Sequence, residues 1–141
     1  MTRPIRVLLV EDNPGDADLT RDTLEDGALR LEISVVVDGA EATDFLLRRG
    51  AHVGARSPDL VILDLNLPKM DGRQVLAEIK RHDQLRSIPV VVWTTSDAEH
   101  DIIQSYALGA RCYVTKPVDL TAYQTVMRSI EQFWLTVAKL P

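Results

Sequence analysis

Val7 to Val10, Val61 to Leu63 and Val90 to Val92 are apolar at every position, without the in-out alternation of a strand that has one wet face. Short strands of this kind must be covered on both sides, and a parallel sheet between two layers of helices does this. Strands are expected at 5–10, 32–37, 60–64, 89–94 and 111–115, with helix-period segments near 15–27, 40–49, 72–82, 98–109 and 120–138. Several helix starts are written locally. Pro14 suits a first turn, and Asp38 with Glu41 and Ser96 with Glu99 have capping-box spacing. No composition break separates the repeats. The 141 residues therefore read as one α/β domain, a five-stranded doubly wound parallel sheet long enough to bury its own core.

Charge narrows the possible partners. A formal net charge of −5 disfavours nonspecific binding to nucleic acid or to an anionic membrane. No helix-turn-helix or winged extension is visible either, so a DNA-binding reading fails. No run reaches the length of a membrane span and the N-terminus has no signal-peptide apolar region, so a cytoplasmic location is expected. The one cysteine, Cys112, lies in an apolar run with no His or Lys beside it to activate the thiol, and reads as a small buried filler.

In a doubly wound sheet, ligands bind outside the carboxyl ends of the strands. The polar residues that close the expected strands are Glu11 and Asp12, Asp64, Thr94 and Thr95, and Lys116. Each alone has an ordinary explanation, as a helix cap, a self-satisfied hydroxyl or a solvated amine. Together they have complementary chemistry. If strands 5–10 and 60–64 are neighbours, Glu11, Asp12 and Asp64 converge and repel one another unless a cation neutralises them. Hard carboxylate oxygens with no Cys or His nearby favour Mg²⁺, which makes a metal-dependent phosphate site the leading idea.

The ordered series Val10-Glu11-Asp12-Asn13, Leu63-Asp64-Leu65-Asn66-Leu67-Pro68-Lys69-Met70-Asp71-Gly72, Val92-Trp93-Thr94-Thr95-Ser96, Ala107-Leu108-Gly109-Ala110 and Tyr113-Val114-Thr115-Lys116-Pro117 resembles the receiver domain of two-component response regulators, the CheY-like family. The resemblance covers the whole chain. It implies strand order 2-1-3-4-5. It also implies that Asp64 is a phosphoacceptor, taking a phosphoryl group from the phosphohistidine of a sensor histidine kinase. The implied Mg²⁺ ligands are Glu11 or Asp12, Asp64 and the backbone carbonyl of Asn66. Lys116 is implied to bind a phosphoryl oxygen, and to pair with Asp64 when no phosphoryl group is present. Thr94 and Tyr113 would form the switch, the hydroxyl turning to the phosphoryl group and the ring rotating inward. The Lys116–Pro117 bond is expected to be cis. Kinase contact is implied for the first helix, from Asp16 to Leu24, and for the loop after the fifth strand.

Departures from the family pattern carry further expectations. Thr95 stands where the family commonly has Ala, and its bulk is expected to slow the water that removes the phosphoryl group. The segment from Arg48 to Ser57 is longer than in a minimal receiver and reads as a solvated loop. At the C-terminus the apolar stripe widens at Phe133-Trp134-Leu135, more hydrophobic surface than one helix needs against its own sheet. This tail, with the ending Lys139-Leu140-Pro141 and the long loop, resembles single-domain regulators associated with bacterial and cyanobacterial phytochromes. It implies a bacteriophytochrome kinase as partner and a homodimer gripped by a C-terminal arm of about residues 131–141. The plainer alternative folds the tail back onto its own domain. With no output domain expected after residue 141, signalling is expected through protein contacts, or the chain serves as a phosphate relay or sink. The competing readings are a flavodoxin-like or phosphatase-like enzyme, for which no Gly-rich phosphate loop is present, and a pseudo-receiver that never takes phosphate.

Overall fold

The computed structural model describes residues 3–27, 29–137 and 140. The elements run β1 (Ile5–Val10), α1 (Pro14–Glu25), β2 (Leu31–Val36), α2 (Gly39–Leu47), β3 (Leu60–Leu63), α3 (Gly72–Arg81), β4 (Val90–Thr94), α4 (Glu99–Ala107), β5 (Cys112–Thr115) and α5 (Leu120–Glu131). All strand pairs are parallel, in the order β2-β1-β3-β4-β5.

The unbroken apolar runs have a simple cause. Leu8, Val10, Val61, Leu63, Val90 and Val92 point to one face, where they pack with Leu46 of α2 and Leu76 and Ile79 of α3. Their neighbours Val7, Leu9, Leu60, Ile62, Val91 and Trp93 point to the other, against Ala17 and Leu24 of α1 and Tyr123, Met127 and Ile130 of α5. Alternation persists in the strand, but both directions lead into a core. Each fully buried aliphatic side chain contributes roughly 1.5–3 kcal/mol. The edge strands pack less deeply. In β2 only Val36 is buried, and in β5 no residue is.

Local capping matches the sequence reading in part. The Asn13 side chain accepts from Asp16 N at 3.0 Å and Pro14 opens α1. Asp38 accepts from Glu41 N at 2.7 Å, while Glu41 reaches back to Val37 N at 3.0 Å. The Ser96–Glu99 box does not form. Ala98 occupies the cap position of α4, while the Ser96 hydroxyl donates to the buried carboxylate of Asp101 at 2.6 Å and its oxygen accepts from Ala98 N at 3.3 Å rather than from Glu99 N. A complete capping box occurs instead at Asp71 and Gln74, opening α3.

One close approach fixes loops at the sheet's carboxyl edge. A Cβ on Gly39 would lie 1.6 Å from the Met70 carbonyl oxygen, so the start of α2 packs against the β3–α3 loop with no room for a side chain. The segment 48–57 is largely exposed, as expected of a solvated loop, and is anchored at His52. His52 Nε2 lies 3.0 Å from Glu41 Oε2, and its ring tilts on Phe45 with centroids 5.2 Å apart.

The C-terminal helix changes winding at its end. After Glu131 the backbone continues as a π-helical segment, Gln132–Val137. The three aromatic and aliphatic residues there part company. Leu135 is buried with the α1–α5 core, Trp134 is half-buried against it, and Phe133 is 53% exposed with its ring edge-on to Trp134. Part of the expected arm thus folds back onto its own domain, and Phe133 is the member left facing outward. Of the expected ending, Lys139 and Pro141 lie outside the described residues. Among the described residues, no helix is long and apolar enough to cross a membrane.

Candidate functional site

Val10 of β1 is paired with Leu63 of β3, so the residues that follow them, Glu11 and Asp64, emerge side by side at the carboxyl edge. One carboxylate oxygen from each of Glu11, Asp12 and Asp64 lies within 4.8 Å of the others. Glu11 and Asp64 are buried, whereas Asp12 is exposed and leaves the cluster open to solvent. The β3–α3 loop turns over the pocket, with Asn66 N donating to Asp64 Oδ1 at 3.2 Å.

Lys116, at the end of β5, reaches across β4 into this cluster and is itself buried. Its Nζ donates to Asp64 Oδ2 at 3.0 Å, to Asp16 Oδ2 at 3.1 Å, and to Glu11 Oε1. The expected pairing of Lys116 with Asp64 is present. Asp16 joins the pocket although sequence reasoning assigned it only to a contact helix. Its position in the first turn of α1, directly after the Glu11-Asp12 strand end, was the available signal.

One ammonium therefore contacts three carboxylates, with Asp12 a further acid in the cluster. Burial pushes the Glu11 carboxyl up to about 7, against the downward pull of the Lys116 hydrogen bond and charge. For Lys116 burial works in the lowering direction, but the hydrogen bonds and charges of Glu11 and Asp64 outweigh it and hold the ammonium above its ordinary value. Excess negative charge, an all-oxygen donor set and one open side fit a hard divalent cation.

The remaining expected residues surround this pocket. Thr94 is buried at the end of β4, with Ser96 N 3.5 Å from its Oγ1. Thr95 is exposed and lines an open cleft with Asp16, Lys116 and Pro117. Tyr113 is half-buried, packs against the α2–α3 core layer, and donates its hydroxyl to the Ser96 carbonyl at 2.8 Å. The cis Lys116–Pro117 bond expected from the family resemblance is not found, since no described peptide bond is cis. The trans bond, ordinarily favoured by about 0.5–1 kcal/mol, already lets Lys116 N donate to Thr94 O at 2.7 Å while Nζ reaches the acids.

Beneath the pocket lies a buried polar hub that the apolar-stripe reading of Tyr123 missed. The Tyr123 hydroxyl accepts from Trp93 Nε1 at 3.1 Å and shares a 2.8 Å bond with Thr20 Oγ1. It also lies 3.4 Å from the Asp16 carbonyl. The Trp93 and Tyr123 rings meet edge to face at 4.9 Å. Helical spacing reports only that Tyr123 faces inward, and is silent about what its hydroxyl meets.

A parallel 2-1-3-4-5 sheet with acids at β1 and β3 and a lysine at β5 defines a receiver. The chain belongs to the response regulator receiver domain family, whose domain matches residues 7–128. It is 44% identical over 138 residues to Response regulator Rcp1 of Synechocystis sp., a match covering 98% of this chain and 94% of Rcp1. The structure of Mn²⁺-bound Rcp1 superposes with a TM-score of 0.95, covering 98% of this chain and 99% of that one at 44% identity. The phosphorylated cyanobacterial phytochrome response regulator RcpA matches over 99% of each chain, with a TM-score of 0.95 and 45% identity. The bacteriophytochrome response regulator AtBRR also matches over 99% of each chain, with a TM-score of 0.77 and 41% identity.

Proposed function

We propose that this response regulator accepts a phosphoryl group on Asp64 from the phosphohistidine of a phytochrome-type sensor histidine kinase, and signals through protein contacts. The observation that carries the reading is the Asp64 carboxylate, bonded to a buried lysine and set within 4.8 Å of two further acids. In the transfer, an Asp64 carboxylate oxygen attacks phosphorus and the P–N bond breaks. The imidazole leaves with the bonding electron pair. Such a transfer needs charge neutralisation and in-line positioning more than covalent help.

Glu11, Asp12, Asp64 and the backbone carbonyl of Asn66 would hold Mg²⁺, which when bound neutralises the phosphoryl oxygens. Lys116 supplies a point charge on a flexible stem, able to exchange its Asp64 contact for a phosphoryl oxygen. The Thr94 hydroxyl would turn to the same group, and the Tyr113 ring would follow it inward. Thr95, at the rim of the cleft, is read as slowing the attacking water, so that the chain releases phosphate slowly and is no turnover enzyme in its own right.

The phytochrome assignment is supported by identity of 41–45% over nearly the whole chain to RcpA and AtBRR, which are themselves phytochrome response regulators. A homodimer joined through the C-terminal arm, with Phe133 as its exposed anchor, is part of the same reading. Phosphotransfer profiling tests it. Purified autophosphorylated kinases, phytochrome-type and others, are each mixed with the chain and the initial transfer rates compared. Preference for a phytochrome-type kinase is expected, and indiscriminate or absent transfer from it would overturn the assignment.

A further inference from the structure

Ser96 is the junction between the switch pair and a second, unassigned pair. Its carbonyl accepts the Tyr113 hydroxyl at 2.8 Å, and its N–H lies 3.5 Å from Thr94 Oγ1. Its hydroxyl donates to Asp101 Oδ2 at 2.6 Å. Asp101 is a buried carboxylate on α4, and its other oxygen is taken by Arg73 NH2 from the first turn of α3, with the exposed His100 at 3.4 Å. Arg73 follows Gly72, where a Cβ would lie 2.4 Å from the Asp64 carbonyl oxygen. The start of α3 is thereby pressed against the backbone of the acceptor residue itself.

We propose that Arg73 and Asp101 are positioning residues for Tyr113: their ion pair holds Ser96 so that its carbonyl receives the tyrosine hydroxyl, and it ties α3 to α4 beside Asp64. The physical reason lies in burial. A buried carboxylate that loses its cation turns toward water or takes up a proton, since an unpaired buried charge is costly. Either response gives up the geometry in which Asp101 grips the Ser96 hydroxyl, and the loop carrying the Ser96 carbonyl is released. Tyr113 then has no fixed acceptor, and its half-buried ring moves toward solvent. The function assigned to Tyr113 rests on the receiver reading, whereas its position does not.

The test labels the full-length chain with 3-fluorotyrosine and reads ¹⁹F relaxation by a soluble paramagnetic agent at Tyr106, Tyr113 and Tyr123, each assigned by a Tyr→Phe variant. In Arg73→Gln and in Asp101→Ala, solvent relaxation at Tyr113 is expected to rise severalfold, matching the loss of about one net hydrogen bond. Tyr123 serves as the unmoved control. Arg73→Lys, which keeps the charge, is expected to restore most of the wild-type value. Ser96→Ala, which leaves the ion pair intact, is expected to release Tyr113 as Arg73→Gln does. Unchanged relaxation at Tyr113 in Arg73→Gln and Ser96→Ala, even with a lowered Tm, would make the pair a helix brace and overturn the proposal. The resonance is read on the unphosphorylated chain, so its outcome is independent of phosphoryl uptake, which the mass of the same samples after acyl phosphate reports separately.

Discussion

Glu11→Gln removes one of the three carboxylates that contact Lys116 while keeping the side chain's shape, and its effect should depend on pH. The Glu11 carboxyl rises from 4.5 to about 7 on folding, chiefly by burial. At about 1.4 kcal/mol per unit, the ionised side chain costs on the order of 3 kcal/mol in the folded state without metal. The sign follows from proton counting. Below pH 4.5 the group is protonated in both states and contributes nothing. Between 4.5 and about 7 the folded chain keeps a proton that the unfolded chain releases, so stability falls as pH rises, and above about 7 the loss is complete. Gln has no such slope. In urea melts with EDTA, Glu11→Gln should therefore be about 1–3 kcal/mol more stable than wild type near pH 8.5. Near pH 5 it should be equal or slightly weaker, because its amide N–H₂ lacks a partner. Saturating Mg²⁺ should reverse the order at high pH, since a ligand at ~100 times its Kd adds about 2.7 kcal/mol to wild type. Destabilisation of Glu11→Gln by the same amount at both pH values in EDTA would refute the reasoning, because Glu11 would then be an ordinary partner of Lys116 and not surplus charge.

Tyr123→Phe keeps the ring contact with Trp93 but leaves the Trp93 N–H and the Thr20 hydroxyl without their partner, and should cost about 1–3 kcal/mol in denaturant melts. A loss under about 0.5 kcal/mol would mean that water replaces the hydroxyl. Phe133→Ala removes the exposed anchor and should shift the chain from dimer to monomer in size exclusion with light scattering, with little change in Tm. An undiminished dimer would place the interface elsewhere. Thr95→Ala should lose its phosphoryl group faster than wild type in a decay time course, and an unchanged rate would end the steric explanation.

The sheet was legible because Val7 to Val10 and Val90 to Val92 can be buried on both faces in only one common way, and because Glu11, Asp64 and Lys116 each follow a strand. Residues whose roles depend on reach were harder to read. Asp16 enters the pocket only because α1 begins where β1 ends, and Tyr123 looks like any inward residue of α5 until Trp93 and Thr20 are placed around it. Ser96 shows the converse failure. It has the spacing of a helix cap, but its hydroxyl donates to the buried carboxylate five residues on and its oxygen accepts from Ala98 N, which leaves it two residues ahead of the cap position. The Phe133-Trp134-Leu135 band carried too little information to say which residues faced inward, since the π winding that separates them is not encoded in a simple period.

The central claim is that the acids and Lys116 make the Asp64 side chain able to take a phosphoryl group. Intact-mass measurement after exposure to a small acyl phosphate tests it most directly, with Mg²⁺ or EDTA and with wild type or Asp64→Asn. The account predicts one added phosphoryl group on wild type with Mg²⁺ and none in the other three samples. A wild-type chain that gains no mass, or an Asp64→Asn chain that gains as much, would contradict it.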